Sequence, residues 1–208
     1  MRPIAVIAAA LMLCACGSTP THPAAGTSSG PPPGTTAPAA PPLDCTTPSG
    51  VQRLICDDPH LTDLDRQLQT AYQQALARPG ADRAAVTTAQ HDWTAIRDDC
   101  AQNADAPTCL LEAYQTRLVQ LAIADPATAA PPVVTYRCPA AFGPLTAQFY
   151  NQFDPQTAVL NWKGTQIILF IQPAASGARY GRQGSEYWEH QGEVTLHLGG
   201  SEFVCATP

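Results

Sequence analysis

Two groups of residues in this chain have the types and spacing to do chemistry. The first is the set of eight cysteines. Cys14 and Cys16 close an apolar run that begins at Ile4, as Leu13-Cys14-Ala15-Cys16, behind a single positive charge at Arg2. A positive start, an apolar stretch too short to span a bilayer and a small residue before a cysteine predict an export signal. A cut before Cys16 or an ordinary secretory cut near Ala15 would each export the chain. The second group is Pro173-Ala174-Ala175-Ser176-Gly177-Ala178-Arg179-Tyr180-Gly181, small residues carrying one hydroxyl, one guanidinium and one phenol. Such a segment can enter a narrow cleft. Its plainer reading is a solvent-exposed hairpin connection in which Tyr180 belongs to the core of the following strand.

Export gives the remaining six cysteines, Cys45, Cys56, Cys100, Cys109, Cys138 and Cys205, an oxidising setting and an even count. Disulfides are therefore expected, and the spacings lack the paired short C-x-x-C arms of a zinc site, so no metal is expected. Four of the six lie between positions 45 and 109, and the other two bracket a separate stretch. Two bridges in a first domain and one in a second follow from that clustering.

The elements that must position these groups fall into five segments. A signal peptide occupies residues 1–15. Residues 16–42 are almost entirely Pro, Ala, Gly, Ser and Thr and cannot bury a core, which predicts a disordered tether. A helical domain spans 43–124, a shorter linker of the same kind 125–132, and a strand-rich domain 133–208. In the first domain Leu61, Leu64, Leu68, Tyr72 and Leu76 recur at helical spacing from a capping-box pattern, Thr62-x-x-Asp65, to Pro79-Gly80. A second run, Val86, Ala89, Trp93, Ile96 and Cys100, and a third, Leu111, Tyr114, Leu118 and Leu121, follow, the third after Pro107. Antiparallel packing of consecutive helices predicts Cys56–Cys100 as an inner bridge and Cys45–Cys109 as an outer bridge nested around it. In the second domain Thr146–Tyr150, Val159–Trp162, Ile167–Ile171 and Val194–Leu198 are short β-branched or aromatic runs, with turn signals at Lys163-Gly164, Gln191-Gly192 and Gly199-Gly200. They predict a small antiparallel barrel or sandwich whose ends are tied by Cys138–Cys205.

Charge and motifs exclude several classes. The net charge is −6 at pH 7, concentrated between residues 43 and 125, where twelve acidic residues face six basic ones. That is not the basic footprint of a nucleic-acid binder, and it suits basic partners. No H-E-x-x-H, G-x-S-x-G or phosphate-binding glycine loop is present, and the five histidines are scattered. Asp57-Asp58 and Asp98-Asp99 are sequence neighbours, which point apart on a helix and do not make an acid–base dyad. The chain is read as a non-enzyme with no cofactor and no small-molecule substrate.

The Cys16 pattern resembles a bacterial lipoprotein signal, which implies that Cys16 becomes the first mature residue and carries a lipid, that Cys14 leaves with the signal, and that the mature chain is held by that lipid on the outer face of the cell membrane. Ser176-Gly177-Ala178-Arg179-Tyr180, Tyr187-Trp188 and Val194-Thr195-Leu196, set between Tyr136-Arg137-Cys138 and Phe203-Val204-Cys205, resemble the MliC family, membrane-bound inhibitors of c-type lysozyme. Asp44-Cys45, Ile55-Cys56, Leu64-Asp65, Tyr72, Trp93, Arg97-Asp98-Asp99-Cys100, Cys109-Leu110 and Ala113-Tyr114 resemble the LprI N-terminal family. The first resemblance implies an eight-stranded antiparallel barrel that inserts the Ser-Gly-x-x-Tyr loop into the cleft of lysozyme, a basic protein, while a second hairpin contacts the rim. The cleft holds one protonated and one ionised carboxyl, and a serine hydroxyl can accept from the first and donate to the second.

On that reading Ser176 makes the contact, Gly177 permits close approach, and Tyr180 either braces the loop or stacks at the cleft edge. Arg179 meets a cleft carboxylate or is solvated. His190 stands where family members commonly place a lysine, and histidine is shorter and mostly neutral at pH 7. The helical domain binds lysozyme through its acidic face, extends the barrel outward, or contacts another partner. The competing reading is a surface interaction lipoprotein, an adhesin or envelope-assembly factor, with the same anchor, tether and disulfides.

Overall fold

The computed structural model describes residues 43–207; the signal peptide, Cys16 and the tether expected over 16–42 lie outside the described residues. The described chain is a four-helix region followed by an eight-stranded antiparallel sheet. The helices are α1 (Val51–Asp57), α2 (Pro59–Ala77), α3 (Arg83–Asp99) and α4 (Ala106–Ile123).

Each long helix starts on an aspartate. Asp58 accepts from the backbone N–H groups of His60 and Leu61, Asp82 from that of Ala85 and Asp105 from that of Thr108, each satisfying donors that the first turn leaves free. Pro59 and Pro107 occupy the first turns of α2 and α4, where the missing N–H costs nothing. The capping box read at Thr62-x-x-Asp65 is therefore corrected. Thr62 lies within α2 and its hydroxyl donates back to the carbonyls of Ile55 and Asp58. Asp65 is buried and accepts from the Tyr114 hydroxyl at 2.8 Å. Leu61, Leu64, Leu68 and Tyr72 of α2 meet Trp93, Leu110, Tyr114 and Leu121 in one core. Trp93 packs edge-on to Tyr114 and donates its indole N–H to the Ala113 carbonyl at 2.9 Å.

The nested bridges expected in this region are also corrected: Cys45 pairs with Cys56, and Cys100 with Cys109. The reason is local chain reversal. Cys56 sits on α1, not on a long helix, and Gly50 at φ 54° turns the chain just before α1, so that Cys45 meets Cys56. A 3₁₀ turn over Cys100–Gln102 ends α3, and α4 begins at Ala106, so Cys109 in its first turns faces Cys100 across a short connection. Long-range packing of antiparallel helices is not needed for either pair.

The strands β1 (Val134–Tyr136), β2 (Leu145–Tyr150), β3 (Thr157–Trp162), β4 (Thr165–Gln172), β5 (Ala178–Arg182), β6 (Ser185–His190), β7 (Glu193–Leu198) and β8 (Ser201–Ala206) pair in chain order. Closure rests on a single antiparallel pair, Arg137 with Ala206, exchanging both backbone hydrogen bonds at 3.1 and 3.0 Å. Cys138–Cys205 lies beside it, with a Cα–Cα distance of 4.3 Å. Its sequence separation of 67 makes it the largest loop closed, worth about 4 kcal/mol in the chain-entropy account. Four hairpins turn on two residues of positive φ, Lys163-Gly164, Gln183-Gly184, Gln191-Gly192 and Gly199-Gly200. That backbone matches the twist of the strands it joins, and a second-position glycine accepts it without strain. Inside, Leu145, Leu160, Leu169, Tyr187, Val194, Leu196, Leu198 and Phe203 fill the barrel.

The helices pack on the barrel. Val119 and Ile123 of α4 meet Tyr150, Val159, Ile168, Phe170 and Phe153 in a second apolar cluster. The linker at 125–132 is fastened at both ends. Arg78 pairs with Asp125 at 2.8 Å, and Gln152 and Gln148 donate to the carbonyls of Ala129 and Pro131.

Candidate partner-binding site

The Ser176 segment is the β4–β5 connection, and residues 173–177 are exposed. It does not hang free. Gly177 has φ +72°, and a Cβ there would fall 1.8 Å from the carbonyl oxygen of Glu189 on β6. Only glycine allows that approach. The next contacts hold Ser176 from two sides. Trp188 donates its indole N–H to the Ser176 carbonyl at 3.2 Å, and the Ser176 hydroxyl lies 3.1 Å from Nδ1 of His190. Trp188 and His190 stack with ring centroids 5.7 Å apart. The loop, the indole and the imidazole thus form one exposed knuckle at the end of β5 and β6.

Glu189, against which Gly177 rests, is fastened from inside. Tyr187 is fully buried and donates to Glu189 Oε2 at 2.8 Å. Its only proton being so used, it accepts from the Tyr136 hydroxyl, also at 2.8 Å. Burial, with these hydrogen bonds and the Glu189 charge, pushes the Tyr187 phenol far above its ordinary value, so it stays a neutral donor.

The sequence-read residues divide accordingly. Ser176, Gly177 and His190 come together. Arg179 points to the outer wall and pairs with Glu186, one of the contacts being Nε to Oε2 at 3.0 Å. Tyr180 is 5% exposed and packs inside against Phe149 and Tyr187, because the residue after Arg179 alternates inward on β5; of the two places read for it, this is the one behind the loop and not the cleft edge. Trp188 is a site residue that motif reading left unassigned. Alternation carried the signal, because an inward Tyr187 puts its neighbour outside, where Trp188 is 37% exposed.

Chemically, the Ser176–His190 contact is two parts of a hydrolytic triad without the third. No hydrogen bond joins the His190 ring to a carboxylate among the described residues. No cluster of three or more metal-ligating side chains exists among them either. A groove of about 700 Å³ lies between α2, α4 and residues 152–155 and shares no residue with the knuckle. A polar depression of about 620 Å³ does adjoin it, floored by Gly181 and walled by Arg179, Glu186, His197 and Glu112. No helix among the described residues is long and apolar enough to cross a membrane. What this arrangement offers is a pre-shaped convex tip with a hydroxyl at its end.

The comparisons with known proteins agree in both halves. Residues 136–203 match a family model described as membrane-bound lysozyme-inhibitor of c-type lysozyme. Residues 45–121 match one described as lysozyme inhibitor LprI. Proteins named lipoprotein LprI from Mycobacterium bovis and Mycobacterium tuberculosis are 60% identical over 212 aligned residues, covering 100% of this chain and of theirs. No solved structure matches the chain significantly.

Proposed function

Because the chain belongs to the LprI lipoprotein family, we propose that it is an envelope lipoprotein that inhibits c-type lysozyme by seating the Ser176 knuckle in the enzyme's cleft. The observation that carries this reading is the way Ser176 is presented. Its carbonyl is tied to Trp188, its neighbour Gly177 is pressed on the Glu189 carbonyl, and its hydroxyl is exposed. A tip held in place before encounter gives up little freedom on binding.

In the cleft the Ser176 hydroxyl would exchange its His190 contact for the two carboxyls, donating to the ionised one and accepting from the protonated one. Both groups needed for hydrolysis would then be engaged and water displaced. Tyr180 and the Tyr136–Tyr187–Glu189 chain support the tip from within and never touch the enzyme. Cys16 carries the lipid that holds the protein to the outer face of the membrane, and the tether over 16–42 gives the tip its reach. The residues that mark the helical region, Leu64, Asp65, Tyr72, Trp93, Ala113 and Tyr114, are buried in its core. They support a scaffold role for that region, packed through α4 on the β2–β4 wall of the barrel.

The test is lysis of a peptidoglycan suspension by c-type lysozyme in the presence of oxidised protein lacking residues 1–16. Dose-dependent protection by the wild type, lost in Ser176→Ala, is expected. Protection untouched by the substitution moves inhibition to another surface, and no protection from folded protein favours the interaction-lipoprotein reading.

A further inference from the structure

The outward faces of the barrel divide in two. On β2–β4 the outward positions lie under α4 and Phe153. On β5–β8 they are exposed or half-buried, with Glu112 of α4 facing only the Gly181–Glu186–His197 side, and strand register sorts them into rows. Arg179 pairs with Trp188, Trp188 with Thr195, and Thr195 with Val204, so these four side chains form one band across the wall. On one side runs Gly181, Glu186, His197 and Glu202; on the other, His190, Glu193 and Ala206. A sheet face turned to water is expected to be polar. Here Trp188 is 37% and Val204 44% exposed, and they sit on either side of Thr195 in the middle row.

Charge frames this apolar centre. Glu193 and Glu202 are exposed carboxylates at its two flanks, while the Arg179 guanidinium is already neutralised by Glu186. The patch is therefore apolar in the middle and acidic at the edge, the complement of a basic protein surface. It is also continuous with the knuckle, since Trp188 belongs to both: its N–H holds the Ser176 carbonyl while its ring heads the row.

We propose that the Trp188–Thr195–Val204 row, with Glu193 and Glu202, is a second contact surface that meets the basic body of the same lysozyme molecule beside its cleft. This inference rests on the cleft-plug reading and extends the footprint past the loop and the β6–β7 hairpin onto β7 and β8. The row supplies buried area and the two carboxylates supply steering, whereas the knuckle supplies the blocking group.

The experiment is binding of the oxidised protein lacking residues 1–16 to immobilised c-type lysozyme, comparing wild type, Ser176→Ala, Val204→Arg and the double variant Glu193→Lys/Glu202→Lys. All of the changed side chains of the last two variants are outward, and thermal melts confirm that the folds match. Val204→Arg is expected to weaken binding about tenfold, mainly through faster dissociation. The double variant is expected to slow association and flatten its salt dependence. Binding weakened by Ser176→Ala but unchanged in both wall variants overturns the second surface and leaves the plug standing. Absence of any binding by the wild type overturns both. Loss of co-sedimentation with insoluble peptidoglycan in Val204→Arg, with lysozyme affinity unchanged, reassigns the row to glycan and also overturns the proposal.

Discussion

Gly177 lies so close to the Glu189 carbonyl that a Cβ would sit 1.8 Å from its oxygen. Glu189 in turn is held from the barrel interior by Tyr187. The exposed tip is therefore set by the core through one backbone contact, and the chain of causes from buried phenols to presented hydroxyl passes through a residue with no side chain.

Gly177→Ala tests that link. Both the positive φ and the backbone clash oppose a methyl group, and at such a position alanine costs about 1 kcal/mol before any displacement. The loop must move off β6, so protection against lysozyme is expected to fall at least as far as in Ser176→Ala, with only a few degrees lost from the melting temperature. Full inhibition by Gly177→Ala would show that the tip needs no fixed seat. The lysis assay and a thermal melt together separate the two outcomes.

Tyr114 and Asp65 make the buried polar pair of the helical core, and burial and the Asp65 carboxylate hold the Tyr114 phenol well above its ordinary value. Tyr114→Phe leaves the Asp65 carboxylate buried without its donor, a cost of about 1–3 kcal/mol. Denaturant unfolding is expected to show that loss with the slope unchanged, while inhibition below the melting range stays intact. Inhibition lost from folded Tyr114→Phe would give the helical core a direct part in binding.

Glu112 on α4 overlooks the β5–β6 turn. Burial raises its carboxyl above the ordinary 4.5, with the Gln183 backbone N–H and Arg182 offsetting part of the rise and Asp105 adding to it. A raised carboxyl means that the native state binds more protons than the unfolded one, so stability falls as pH climbs from about 4.5 through the native value. Glu112→Gln lacks that loss. Melting curves from about pH 4 to 7 should move the difference between the proteins steadily in favour of the glutamine variant. A difference that does not change with pH contradicts the burial account.

Much of this architecture was legible because local chemistry forces it. Glycine at the second place of Lys163-Gly164, Gln191-Gly192 and Gly199-Gly200 is what a two-residue hairpin demands, and the Gln183-Gly184 turn obeys the same rule. Helical spacing placed Leu64, Leu68, Tyr72 and Trp93 on inward faces. The pairing of the four cysteines in the helical region was not legible, because spacing does not say where a chain reverses locally, as it does at Gly50 and between α3 and α4, whereas Cys138–Cys205, which brackets the strand-rich stretch, was. Nor was the docking of α4 on the barrel. It depends on Val119 and Ile123 giving that helix a second apolar face beside Leu110, Tyr114 and Leu121, and periodicity finds one face more readily than two. At the site, the Ser176 loop could be read from its residues, whereas its seat could not: the Trp188 and Glu189 contacts join residues 12 apart through the fold.

A cleft-filling chitooligosaccharide competing with the protein for c-type lysozyme examines the plug itself. Fluorescently labelled protein is bound to the enzyme, the oligosaccharide is titrated in, and displacement is followed by anisotropy. If the Ser176 knuckle occupies the cleft, saturating oligosaccharide releases the wild type, and the apparent affinity falls in proportion to cleft occupancy. A complex that persists unchanged at saturation, while lysis is still blocked, would place inhibition outside the cleft and contradict the account.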